Sequence, residues 1–194
     1  MASPVTASIP VAGNLYTATT LAASANIGIF IDLTAVFEGQ IDVRETTGAT
    51  AASTSGASIA FYHVLSSTTT TTTITGGTTT SIVVTSATGL AKGQKIAIGG
   101  TTTGEIVTIS AISGTTITIN APLNSYSGTI NVYLISQTAA VTGPILGQNL
   151  TNANTTYGMP FFMQTGAYFV SLTNLDVTNA ITVEITGRNI TGVA

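Results

Sequence analysis

EIVTISAISGTTITI, running from Glu105 to Ile119, decides the class of fold. From Glu105 to Ile112 and again from Thr115 to Ile119, apolar and polar residues alternate with a period of two. That pattern puts aliphatic side chains on one face of an extended chain. Ser113-Gly114 separates the two runs, and glycine supplies the backbone freedom that a tight reversal needs. The stretch predicts a β-hairpin. The same alternation recurs at Gln40 to Arg44, Thr129 to Ile135 and Ile181 to Ile185, and turn residues fall at Ser55-Gly56, Gly99-Gly100, Ser127-Gly128 and Thr178-Asn179. Ser81 to Thr85 and Gln94 to Ile98 read as two further short strands. Strands and turns at this spacing indicate an all-β antiparallel fold.

Composition agrees. Of 194 residues, 44% are hydrophobic and only 6% are charged, with a formal net charge of −3. Threonine supplies roughly a fifth of the chain, and its stiff β-branched side chain favours strands. So many apolar side chains offset the entropy of ordering the chain, which argues against disorder. Four basic residues cannot build a cationic track for phosphates, so no nucleic-acid partner is expected. Apolar runs are broken every few residues by Thr, Ser, Gly or Asn, so no membrane-spanning helix and no membrane partner are expected. The absence of cysteine excludes disulfides, thiolate metal sites and a cysteine nucleophile. No Lys or Arg precedes Arg44, so the charged region of a secretory signal is missing.

The bulkier, more aromatic strands lie on either side of the hairpin region, at Ile27 to Leu33, Val36 to Val43, Ile59 to Leu65 and Ala167 to Leu172. This contrast predicts a discontinuous organisation. Residues 1–20 form an amino-terminal arm, residues 21–74 and 134–194 form one β-sandwich, and residues 75–133 form an inserted unit, because insertion at a surface loop costs little when its ends lie close together. The expected fold is therefore all-β, an antiparallel, jelly-roll-like β-sandwich with an inserted small β-barrel-like domain. The tract Thr68 to Thr73 leads into the insert and reads as an exposed connector or edge strand.

The string SIVVTSATGLAKGQKIAIGGTTTGEIVTISAISGTTITINAPLNSYSGT, Ser81 to Thr129, resembles a small β module found in structural proteins of tailed-bacteriophage particles. Gly39 to Val64 and Gln164 to Gly187 are similar to sandwich strands of phage decoration or cement proteins. The resemblance rests on turns and alternation and carries no catalytic signature. It implies a non-enzymatic virion protein that grips the major capsid protein on the capsid exterior as a homo-oligomer, with a trimer favoured over a dimer, after synthesis in the host cytoplasm. A tail, fibre or spike component and a secreted carbohydrate-binding or adhesive module are the alternatives.

Interface anchors are expected in the arm, at Ala2, Leu15 and Tyr16, and in the apolar cluster Pro160, Phe161, Phe162 and Met163. No catalytic residue, cofactor or metal site is expected. His63, the single histidine, lies in an alternating strand and reads as a structural residue, and no G-x-S-x-G elbow accompanies it. The acidic residues are scattered, without a calcium-loop pattern. Asn174 and Asp176 read as a turn in which the side chains bond to their own backbone. Tyr16, Tyr126, Tyr133 and Tyr157 offer rings for stacking on sugars, but the chain has no Trp and few aromatics, which makes the carbohydrate reading the weaker one.

Overall fold

The computed structural model describes residues 13–34, 38–47, 57–99, 103–139, 141–144 and 156–189. Their strands are β1 (Gly13–Leu21), β2 (Asn26–Asp32), β3 (Glu38–Thr47), β4 (Ala57–Thr70), β5 (Ser81–Val83), β6 (Lys95–Gly99), β7 (Gly104–Ser113), β8 (Thr116–Ile119), β9 (Ile130–Ile135), β10 (Val141–Pro144), β11 (Thr156–Gln164), β12 (Ala167–Asn174) and β13 (Ile181–Asn189). Every alternating run read from the sequence falls in one of them, save Thr115 and Thr129, which each lie one residue before a strand. The hairpin is β7 and β8, turning at Gly114 with φ of 59°.

One sheet has the order β1-β13-β3-β11. The other runs β2-β12-β4-β9-β6-β7-β8-β5, with β10 also paired to β4. All pairings are antiparallel. Each sheet draws strands from both ends of the chain, so neither is complete until β11 to β13 return. The period of two sends Ile29 and Ile31, Ile41 and Val43, Ile59 and Phe61, Val170 and Leu172, and Val183 and Ile185 into one core between the sheets. Each such side chain contributes about 1.5 to 3 kcal/mol by leaving water.

β4 joins the two parts of the molecule. Its first half, Ala57 to His63, pairs with β12, and its second half, Val64 to Thr70, pairs with β9. Beyond it, Ile82, Ile96, Ile98, Val107, Ile109, Ile117 and Val132 gather in a second core. A third, smaller cluster lies between the two. Phe169 of β12 points away from the sandwich core, and Ala97, Tyr133 and Ile135 from β6 and β9 cover it. Phe30 of β2 stacks on Tyr133 at 4.8 Å and 8° between ring planes. The strands that follow β4 thus fold back over the outer face of β2 and β12.

The expected jelly-roll-like sandwich with a barrel-like insert is corrected by the strand pairing. Two antiparallel sheets pack together, and no sheet closes on itself. Strands β9-β6-β7-β8-β5 curl, but where the curl returns to β4 there is no ladder, only one bridge between Thr70 and Val84. Threonine hydroxyls stitch the rest of that seam. Thr70 Oγ1 donates to the Val83 carbonyl at 2.6 Å, Thr72 Oγ1 accepts from Val83 N–H at 3.1 Å, and Thr68 Oγ1 accepts from Ser86 N–H at 3.0 Å. Thr68 to Thr70 of the tract thus end β4, paired to β9 on one side, and Thr71 to Thr73 lead on to the following strands. A barrel needs a register fixed by backbone pairing all the way round, and side-chain hydroxyls do not supply one.

Candidate functional site

The expected anchors are divided by the fold. Ala2 lies outside the described residues. Leu15 and Tyr16 belong to β1, whose ladder to β13 is interrupted between Asn14 and Tyr16 and again between Tyr16 and Thr19. Pro160, Phe161, Phe162 and Met163 belong to β11, paired to Asp42, Ile41, Gln40 and Gly39 of β3. Alternation splits this cluster. Phe161 and Met163 turn into the sandwich core, where Phe161 tilts against Phe61 at 5.0 Å, while Pro160 is exposed. β1 and β11 are the two edges of the same four-stranded sheet. Proline suits an edge because it has no N–H to give to a ladder.

The titratable groups hold structural posts. The His63 ring tilts against Tyr168 at 4.6 Å, and its backbone N–H donates to Ser136 Oγ. Arg44 and Glu184 face each other across β3 and β13 at 3.7 Å, a largely solvated pair. Asp176 Oδ1 accepts from Thr178 N–H, Thr178 Oγ1 and Asn179 N–H, and Asn174 Nδ2 donates to the carbonyls of Leu21, Ala22 and Asn179. The Asp176 bonds, with Asp176 N–H donating to Asn174 Oδ1, make the turn that the sequence indicated, and Asn174 Nδ2 also ties it to the Leu21–Ala22 segment. Among the described residues, no group of three or more His, Asp or Glu side chains is placed to hold a metal ion. No described helix is long and apolar enough to cross a membrane.

Two buried carboxylates went unnoticed in the sequence. Glu45 continues the inward face of Ile41 and Val43 and is fully buried. Neither of its oxygens has a hydrogen-bond partner among the described residues. Burial lifts its pKa to about 7, against a smaller opposing pull from the Ala57 backbone, which lies near it outside hydrogen-bonding geometry. Glu105 begins the hairpin on the face of Val107 and Ile109, and it is well satisfied. Oε2 accepts from Leu123 N–H at 2.6 Å, and Oε1 accepts from Asn124 N–H at 2.9 Å and from the Tyr126 hydroxyl at 3.0 Å. Burial first, then the neighbouring Glu105 charge, raise the Tyr126 phenol. The alternation that made Glu105 to Ile112 a strand also carried the signal that Glu105 points inward.

By holding the 120–126 loop, Glu105 shapes an open cleft between that loop and the outer face of β2 and β12. The cleft has two parts, of about 360 Å³ and about 250 Å³, which share Asn26 and Asn124 on their walls. Asn120, Ser171 and Leu123 line the larger part, and Ile27, Ser125 and Tyr126 the smaller. Asn26 Nδ2 donates to Ser171 Oγ at 3.0 Å and Thr173 Oγ1 at 2.6 Å, which fixes its amide on the sandwich wall. A separate hollow of about 230 Å³ lies beside the threonine seam, lined by Ser66, Thr68, Ser86, Thr88 and Leu90, where Thr68 bonds Thr85 and Ser86 bonds Thr88. Comparison with known proteins returned no match for this chain, whether to a family model, a curated protein or a solved structure.

Proposed function

We propose that this chain is a non-enzymatic structural protein of a tailed-phage virion, a decoration or cement protein that binds the major capsid protein on the outside of the capsid as a homo-oligomer, a trimer before a dimer. The observation that carries the reading is that residues from both segments named as anchors, Leu15 and Tyr16 of the arm and Pro160 of the 160–163 cluster, lie on the two edge strands of one sheet. An edge strand offers backbone donors and acceptors to a neighbouring chain, and here that offer comes with few charges to desolvate. Large aliphatic side chains also stand out in water, with Val177 79% exposed and Leu65 62% exposed. Contacts of this kind, repeated over adjoining subunits, would resist the pressure of packaged DNA.

The test uses phage particles with and without the protein. Complete particles should keep their DNA under heating and shear that empties those lacking it, and adding back the purified chain should restore retention. Equal retention in both would end the cementing role. Labelling that finds a few copies on the tail in place of many on the head would move the protein to the tail.

A further inference from the structure

We propose that the cleft between the 120–126 loop and the outer face of β2 and β12 is a binding site for an uncharged saccharide. Its walls are made of amides and hydroxyls with bonding capacity left over. Asn26 donates to Ser171 and Thr173 through Nδ2, Asn120 Oδ1 accepts from Thr108 N–H, and Ser171 Oγ accepts from Asn26. Toward the described residues this leaves Asn26 Oδ1 as an acceptor, Asn120 Nδ2 as a donor and the Ser171 hydroxyl proton as a second donor. Donors and acceptors set side by side match sugar hydroxyls, each of which gives and takes a hydrogen bond.

Charge narrows the class of ligand. Among the described residues no Lys or Arg lines either part of the cleft, and the one ionisable carboxylate there, Glu105, already accepts three bonds from the loop. A phosphate or an acidic sugar would meet a negative group with no counter-charge, whereas a neutral sugar meets no such penalty. The apolar side chains suit the C–H face of a pyranose. Ile106 lies in the wall of the larger part, and Leu123 stands 80% exposed at the lip. The cavity falls in the size range of small-ligand sites, and its division at Asn26 and Asn124 gives room for a ring on either side.

The site is also held in shape before any ligand arrives. Glu105 pins Leu123 and Asn124, the Ile74–Tyr126 bridge pins the end of the loop, and Gly76 N–H donates to Ser125 Oγ at 3.0 Å. A loop already ordered loses little entropy on binding. The inference does not depend on attachment to a capsid, since the cleft is formed within one chain and uses neither sheet edge.

The test is binding of the full soluble chain to an immobilised panel of neutral oligosaccharides, with sialylated and sulfated glycans as anionic controls. Hits are followed by titration of the same free sugar while backbone amide shifts are recorded. A neutral glycan should bind saturably, with shifts centred on residues 26–28, 120–126 and 171–173. Ser171→Phe, which fills the cleft, should weaken binding by about tenfold or more, and Leu123→Ala by about threefold, at unchanged melting temperature for the exposed Leu123 position. The proposal is overturned if only anionic glycans are retained, if no neutral glycan is retained, if the shifts fall elsewhere, or if both variants bind as the parent does. None of these results bears on capsid attachment, which is read from particles.

Discussion

The ring of Phe169 lies against the backbone of Gly28 and fills the space that a β-carbon there would take. Gly104 of β7 closes the same pocket, since a β-carbon on it would also press on that ring. Two glycines on facing strands thus admit one phenylalanine, and through it β7 seats on β2 and β12. Gly28→Ala should destabilise the protein by about 1 to 3 kcal/mol through overpacking, and Phe169→Ala by roughly 3 to 5 kcal/mol through the cavity it leaves. Chemical denaturation of both variants checks this, and parent-like midpoints would show that the contact is not needed.

Glu45 makes stability fall as pH rises. Its folded pKa of about 7 lies above the ordinary value of 4.5, so between those values the folded chain holds a proton that the unfolded chain has released. The stabilisation is whole below pH 4.5 and is lost as pH climbs through 7, a change on the order of 3 kcal/mol. Glu45→Gln should remove that slope and be the more stable protein at pH 8. Unfolding curves at a series of pH values decide the matter, and a flat parent profile from pH 4.5 to 7.5 would contradict it.

Thr70→Val keeps the shape of the side chain and removes the hydroxyl that bonds the Val83 carbonyl and the Thr72 N–H. The seam beside the Thr70–Val84 bridge then loses its shortest side-chain bond. A loss of about 1 to 2 kcal/mol is expected, with faster hydrogen exchange at Val83 and Thr85 than at the hairpin amides.

Glu105→Gln turns one accepting oxygen into a donor facing loop N–H groups. It should cost roughly 1 to 3 kcal/mol and speed hydrogen exchange at Leu123 and Asn124, with β13 unaffected. Unchanged exchange at those two amides would show that the loop holds itself.

Much of the fold could be read from alternation alone. The hairpin of β7 and β8 and strands β3, β9 and β13 follow from a period of two, because that pattern reports which face is buried. Closure into a barrel could not be read this way. It depends on whether a strand edge finds a backbone ladder, and a run of identical threonines has no register to specify one. The expected anchors at Pro160 to Met163 were read as a single apolar patch, although the same period of two assigns Phe161 and Met163 to one face and Pro160 to the other. The saccharide cleft was illegible for a different reason. Asn26, Asn120 and Ser171 meet only because the insert folds back over β2 and β12, and no local pattern encodes that approach.

β4 runs for 14 residues, roughly 45 Å, as one strand through both parts of the molecule, with a register shift between Val64 and Ser66 where its partner changes from β12 to β9. A tug on the insert is therefore carried along a single stretch of main chain into the middle of the larger sheet. Pulled lengthwise, the bonds of β4 to β9 and β12 share the load in shear and do not open one after another like a zip. Strain reaching one part is delivered directly to the other, with no slack linker to absorb it.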